Sequence, residues 1–529
     1  MTKVNGMGIV RRVVATTVAI IGVAVSPLAA QQNASTVRAP QQAPAAQGPV
    51  VRLSMNEAVA MALEYNLGLK ADRMDLEVAD QGILSAKSAY LPQLTSSLRR
   101  NSSRSLPGDF TQGTTDITSR GLSIAATVSQ QMPWLGGTYQ VSWQGDRSDT
   151  LGRLGNSFNP VLGSNISLSF NQPLWRDLKI DAARANLETS QRNRSIADLA
   201  VQRQVVVYEV NVKNAYLGLV AAVESRKVAQ LNMDNAETSL RHARARVAVG
   251  QSPQIDVVQA EAQAAGFREA LIGSEARIGQ AEDNLRQLIL DPARPDYWQV
   301  RLETSDTIQV TPFQVDLEAA IKNALASRLD LQTFRQNMAI TDLSMEVNKN
   351  LTLPDVSLEL SYAARGTAGT QFEFGEGFPP PILSRADRSF GSALGDTFSG
   401  AYPSWSAGVR VDYPIGKTQA RVAVATTEIR KRQLVTDIRN LELQIVREVR
   451  DAARQVQNSY ERVQAARTAR EASQTQLDAE DRRFEVGLST TLDQQVRQQQ
   501  LASARNAELT AMISYNQALI NFERVQKIQ

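Results

Sequence analysis

Residues 53–98 read LSMNEAVAMALEYNLGLKADRMDLEVADQGILSAKSAYLPQLTSSL, and residues 315–360 read VDLEAAIKNALASRLDLQTFRQNMAITDLSMEVNKNLTLPDVSLEL. One constant shift lays the first on the second. Val59 meets Ile321; Leu63, Leu67 and Leu69 meet Leu325, Leu329 and Leu331; Pro92 meets Pro354. Further on, Arg246-Val-Ala-Val-Gly250 lies on Arg483-Phe-Glu-Val-Gly487, and Asp256 falls on Asp493. Self-similarity at this scale means one supersecondary plan used twice. The plan is short helix, β-rich segment, long helix, tight turn, shorter helix.

The helices are expected to be unusually long. Ile180–Val249 and Thr418–Val486 contain no proline and almost no interior glycine, so each can run about 100 Å at 1.5 Å per residue. Ser54–Leu91 and Gln254–Leu290 are each roughly half as long, so two of them stacked end to end match one long helix. In the second long helix Leu434, Ile438, Leu441, Ile445, Val449, Ala452, Val456, Tyr460 and Val463 form one apolar stripe. Its mean spacing is about 3.6 residues, the period of a straight helix and not the 3.5 of a left-handed coiled coil. Such a stripe suits either a cylinder wall or an ordinary helical bundle.

Between the helices the period drops to two. Leu122, Ile124, Ala126 and Val128 alternate with polar or small residues, as do Tyr139, Val141 and Trp143, and Ile166, Leu168 and Phe170. The second half repeats the pattern at Val356–Tyr362 and Trp405–Tyr413. A transmembrane β-barrel needs this dyad, apolar toward lipid and polar toward water. Of 29 aromatics, 17 lie within residues 90–179 or 354–416, the segments where interfacial girdles belong. No later stretch reaches eighteen consecutive apolar residues, so a membrane crossing would have to use strands. One chain supplies too few strands to close a barrel, which points to closure by symmetric subunits. The Gly/Pro-rich stretch 366–381 is expected to form loops on the far side.

Composition narrows the chemistry. There is no cysteine and one histidine, His242, which leaves little material for thiol catalysis, a Ser-His-Asp triad or a multi-histidine metal site. Neither a phosphate loop nor a cofactor motif is recognisable, so catalytic, cofactor and metal residues are all expected to be none. Lys3, Arg11 and Arg12 precede an apolar run, Val13–Val25, that ends before Pro27-Leu28-Ala29-Ala30; this is the pattern of a secretory signal. Removing residues 1–30 takes the formal charge from +3 to about zero, so nucleic-acid binding loses its electrostatic basis.

The organisation expected is a signal peptide (1–30), an Ala/Gln/Pro-rich linker (31–52), a first repeat (53–300, strands around 93–175) and a second (301–529, strands around 354–415). The fold class is α+β, combining long antiparallel helical hairpins with a β-barrel membrane segment.

The two turns closing the long helices are the functional candidates. Gly250 and Gly487 suit left-handed C-terminal caps. Ser252 before Pro253, and Ser489 or Thr490, can cap the following helices. Asp256 and Asp493 meet the helix dipole favourably near those N-termini.

Taken in order, these features resemble the TolC-like outer-membrane efflux proteins over essentially the whole mature chain. The resemblance rests on the duplicated plan and on Tyr90-Leu-Pro92 and Leu353-Pro354 leading into strands. It rests also on Gln172-Pro173-Leu174 and Tyr413-Pro414-Ile415 leading out, and on the two Val-Gly turns. It implies a homotrimer whose β-barrel sits in outer-membrane lipid above a periplasmic α-barrel, with four strands per subunit. It further implies that Val249, Gly250 and Ser252, with Val486, Gly487, Leu488 and Ser489, contact a periplasmic adaptor. Asp256 and Asp493 would then lie at the periplasmic aperture, where Val496 replaces a second acidic residue and thins the charged ring. The implied role is the exit duct of a tripartite efflux pump or type I secretion system, served by an inner-membrane transporter. An extra alternating pair around 121–147 departs from the family plan, and the sequence leaves open whether it joins the barrel. The alternative is a periplasmic coiled-coil scaffold with a soluble β-head.

Overall fold

The computed structural model describes residues 49–527 except 109–115, 153–155, 378–379, 414 and 417. The expected signal peptide and residues 31–48 of the linker lie outside the described residues, as does Pro414 of the second strand exit.

The first half runs β1 (Val50–Leu53), α1 (Met55–Tyr65), α2 (Leu67–Ser88), β2 (Gln93–Ser105), β3 (Ile117–Gln131), β4 (Thr138–Leu151), β5 (Phe158–Pro173), α3 (Ala182–Ala248) and α4 (Gln254–Ile289). The second runs β6 (Arg301–Thr304), α5 (Leu317–Ser327), α6 (Leu329–Asn350), β7 (Asp355–Phe374), β8 (Ile382–Arg388), α7 (Phe390–Phe398), β9 (Pro403–Asp412), α8 (Gln419–Glu485) and α9 (Thr491–Lys527). Residues 50–52, at the end of the segment expected as linker, belong to β1, which pairs in parallel with β6.

Both long helices form, each 67 residues. The half-length helices do stack alongside them. Asp80 of α2 pairs with Arg194 early in α3, while Glu275 and Glu261 of α4 pair with Arg226 and Arg244 further along. Where the two short helices meet, the Asn66 amide donates to the Leu288 carbonyl at 3.2 Å.

One expectation fails here. The span 54–91 is not a single helix but two, α1 and α2, parted at Asn66. Asn66 has an extended ψ of 121° and its side-chain oxygen accepts from the Leu69 N–H at 3.1 Å, so it ends one helix and caps the next. Arg328 parts α5 from α6 at the corresponding position, with ψ 129°. Its side chain is fully buried and held by Asp330 at 2.5 Å and Glu448 at 2.7 Å. Such a buried cation is tolerable because two carboxylates compensate it, and stripping away the partners would cost about 3–5 kcal/mol.

These breaks let α1 and α5 turn in to build two cores. In the first, Ala58 and Ala62 pack with Val212, Tyr216 and Leu219 of α3 and Leu285 and Ile289 of α4. In the second, Ala320 and Ala324 pack with Ile445, Val449, Ala452 and Val456, the middle of the α8 stripe, and with Tyr515 and Phe522 of α9. Each fully buried aliphatic side chain contributes about 1.5–3 kcal/mol.

The main sheet runs β2-β3-β4-β5-β7, with β9 against the lower part of β7 and short β8 against its upper part. The extra hairpin is β3–β4, and it joins the sheet between β2 and β5. Six long strands therefore stand where four were expected. The far-side loop is also shorter than expected, because Gly366–Phe374 prolong β7, and β8 and α7 follow.

Register places side chains on two opposed faces. Leu94, Val128, Val141, Leu168, Tyr362 and Trp405 form one continuous row across the six strands. One residue away, Gln93, Ser129, Gln140, Ser169, Ser361 and Ser406 form a row on the other face. Hydroxyl pairs Ser142–Ser167 at 2.6 Å and Ser361–Ser406 at 2.8 Å belong to this polar face. Helix α7 lies on the apolar face: the Thr397 hydroxyl donates to the Ser164 carbonyl at 3.1 Å, and a Cβ on Gly366 would collide with the Ala393 carbonyl.

Candidate functional site

Helices α3 and α8 end in the same way. The Gly250 N–H donates to Val247 O at 3.0 Å and the Gln251 N–H to Arg246 O at 2.8 Å. The second turn repeats this with Gly487 to Phe484 O at 3.1 Å and Leu488 to Arg483 O at 2.8 Å. Paired bonds of this kind, closing on a left-handed residue, are the Schellman cap. Gly250 and Gly487 take φ of +73° and +74°, where a side chain on an L-residue is strained.

The caps after the turns differ from expectation on one side. Thr490 caps α9: its hydroxyl accepts from the Asp493 N–H at 3.2 Å and donates to the Asp493 carboxylate at 2.6 Å. That hydroxyl, with the Thr490 backbone N–H, holds the Asp493 carboxyl below the usual carboxylate range. Asp493 is therefore charged at neutral pH, and what its charge adds to these two bonds is lost only as pH falls through that lowered value. Ser252 does not cap α4. Pro253 stands at the N-cap position without a side-chain bond, and the Asp256 N–H reaches the Pro253 carbonyl at 3.1 Å in a tight first turn. Ser489 instead donates to Glu480, a buried carboxylate nine residues earlier on α8.

The two tips lie side by side. The Arg246 guanidinium stacks on the Phe484 ring, 4.4 Å from its centroid, an attraction of about 0.5–1 kcal/mol at an exposed site. The Thr491 hydroxyl donates to Asp256 at 3.2 Å, so Asp256 bridges the hairpins while Asp493 caps its own helix. Gln498 joins the same seam, bonded to Ser239 at 2.9 Å and Gln263 at 3.3 Å.

Seven apolar side chains at and just beyond these turns are exposed: Val249, Ile255, Val258, Val486, Leu488, Leu492 and Val496. Val249, Val486 and Leu488 were candidates from sequence. The outward row on α4 and α9 was not, although Ile255, Val258, Leu492 and Val496 sit three or four residues apart on each helix, the spacing of a shared face. A concentration of exposed apolar groups on a polar protein marks an interaction surface. His242 is exposed on α3, and among the described residues no group of His, Cys, Asp and Glu could hold a metal ion.

The family model described as "Outer membrane efflux protein" matches residues 109–289 and 320–525. The chain belongs to the outer membrane efflux protein family. Both matched spans contain a long helix, a Val-Gly turn and most of the helix that follows. The outer membrane efflux protein BepC of Brucella suis biovar 1 is 23% identical over 474 residues, covering 88% of this chain and 84% of the relative. The pyoverdine export outer membrane protein OpmQ of Pseudomonas aeruginosa is 23% identical over 68% of each chain. In fold, the chain is similar to CusC, at TM-score 0.63 and 15% identity over 93% of this chain and 96% of that one. It is similar also to the CmeC outer membrane channel of Campylobacter jejuni, at TM-score 0.62 and 14% identity over 89% and 85%. As an efflux protein of this family the chain resides in the outer membrane with a large periplasmic portion.

Proposed function

We propose that three copies of this chain close into one channel, the exit duct of a tripartite efflux pump or type I secretion system. The observation that carries the reading is the sheet, apolar on one face and polar on the other across six strands, with β2 and β9 unpaired along its edges among the described residues. In hydrocarbon each unsatisfied backbone group costs several kcal/mol, so an open sheet of this kind needs a partner on both edges. Pairing β9 of one copy with β2 of the next satisfies both edges by rotation, the closed symmetry typical of oligomers. The apolar rows then face lipid and the Ser/Gln rows face a water-filled lumen. The two halves, alike in element order, descend from one internal repeat.

The tips are the periplasmic end. Val249, Gly250, Ser252, Val486, Gly487, Leu488 and Ser489 contact the helical hairpin of a periplasmic adaptor, which links the duct to an inner-membrane transporter. The exposed apolar residues beside them supply the contact area, and the Schellman caps hold the two turns in one fixed form. Asp493, exposed and charged, belongs to a cation-attracting ring at the aperture; Asp256, tied to Thr491, braces it. The lumen discriminates little, and cargo is chosen by the transporter.

Conductance in a planar bilayer tests the aperture assignment. Asp493→Asn removes three charges from a threefold ring while leaving a side-chain oxygen that can still accept from the Thr490 hydroxyl and N–H. The expected result is reduced cation selectivity with little change in stability; unaltered selectivity would remove Asp493 from the aperture.

A further inference from the structure

On the apolar face, the paired rows between Val356–Val411 and Leu98–Ile124 contain no Asp, Glu, Lys or Arg. Those limits lie ten residues apart along β7, from Val356 to Gly366. Ten residues rise about 33 Å, and a strand tilt of about 40° reduces this to roughly 25 Å, the height of an apolar membrane band.

The next row up changes character abruptly. Arg100 of β2 and Arg147 of β4 flank Leu122 of β3 in register, and Arg120 stands one pleat above Leu122. All three arginines are exposed, and none makes a hydrogen bond or ion pair with the described residues. Two strand spacings separate Arg100 from Arg147, about 10 Å. The charged groups nearby are mostly engaged. Arg104 pairs with Asp116, Arg388 with Asp396 at 2.8 Å, and Asp387 accepts from Thr370 at 2.6 Å. Asp149 lies opposite Arg120 in the ladder without closing a salt bridge. Leu122, between Arg100 and Arg147, and Ile124, one pleat below it, are each 45% exposed.

We propose that Arg100, Arg120 and Arg147 bind the phosphates of an anionic lipid in the outer leaflet, with its acyl chains on Leu122 and Ile124. The inference rests on the membrane reading of the sheet. It goes further because it gives one patch of the lipid-facing surface a specific occupant. Three unpaired guanidiniums on the lipid-facing side, at the height where hydrocarbon ends, meet headgroup oxygens. Guanidinium binds phosphate bidentately, and apolar contact below with cationic contact above matches an acylated, phosphorylated headgroup and not a free ion.

The test is native mass spectrometry of the detergent-extracted full-length assembly titrated with bisphosphorylated lipid A. The variant Arg100→Gln/Arg120→Gln/Arg147→Gln is expected to bind at least about tenfold more weakly, given the roughly tenfold or smaller factor that each basic residue contributes near an anionic surface. Wild-type protein should bind dephosphorylated lipid A just as weakly, a comparison that needs no variant. The corresponding triple Lys variant should bind with intermediate affinity, because it keeps the charge and loses the bidentate fork. Arg99→Gln, which changes the neighbouring arginine on the polar face, should bind as wild type does. Equal binding of the phosphorylated and dephosphorylated lipids, or unchanged binding by the triple Gln variant, would overturn the proposal. Displacement of the lipid by excess inorganic phosphate would overturn it too, by making the site one for free phosphate. A wild-type protein that yields no oligomer in detergent would instead fail the channel reading itself.

Discussion

Replacing Gly487 with valine is expected to abolish export while the protein still assembles in the outer membrane. The glycine sits at φ +74°, and nothing lies within 4 Å of where a Cβ would stand, so the penalty comes from the backbone and not from a clash. A left-handed conformation costs an ordinary L-residue about 1–2 kcal/mol, and a β-branched one suits it worst. That is enough to shift the tip out of its capped form by roughly 5–30-fold. The damage stays local, because the cores around Tyr216 and Tyr515 and the six-strand sheet are built from other residues. Asparagine tolerates the left-handed region, so Gly487→Asn should keep most export. Drug-susceptibility assays beside outer-membrane abundance separate the two effects. Full export by the valine variant would remove Gly487 from the proposed adaptor contact.

The second large effect lies in the sheet. Leu168 occupies the middle of the apolar band, between Val141 and Tyr362, and with that face toward lipid, as proposed, Leu168→Arg sets a charge near the bilayer midplane. Such a substitution costs about 2–4 kcal/mol in a transmembrane barrel, so outer-membrane abundance should fall sharply. Ser167→Arg, one residue earlier, points to the polar face beside Ser142 and should assemble close to normally. Equal abundance of the two variants would mean that the two faces of the sheet meet the same solvent.

How much of this was legible follows from what each residue answers to. The long helices were readable because a 67-residue run without proline has few alternatives, and the α8 stripe became the second core as its spacing indicated. The breaks at Asn66 and Arg328 were not. Each depends on a partner remote in sequence, Leu288 O for Asn66 and Glu448 for Arg328, and the helical spacing of leucines continues across the gap. Strand β2 showed no clear alternation because only its lower part lies in the apolar band; from Arg100 upward the same face carries charge. Helix α7 escaped notice in a Gly- and Ser-rich segment, since Ala393 and Thr397 gain their purpose only by covering Gly366 and Ser164.

At the tips, sequence located the turns but not their seam. The glycine caps follow from local geometry, and the two turns proved near-identical. The stacking of Arg246 on Phe484 and the bond from Thr491 to Asp256 join segments about half the chain apart, and no local pattern signals them. Ser252 failed as a cap because the Pro253 carbonyl took over the first turn of α4.

The measurement that bears most directly on the central claim is electron microscopy of the protein extracted by detergent from isolated outer membranes. The expected result is a threefold particle with β9 of each copy paired to β2 of the next, and the two Val-Gly turns at the far end of a helical tunnel about 100 Å long. A monomer released without detergent, its sheet folded into a closed soluble head, would contradict it and favour a periplasmic scaffold.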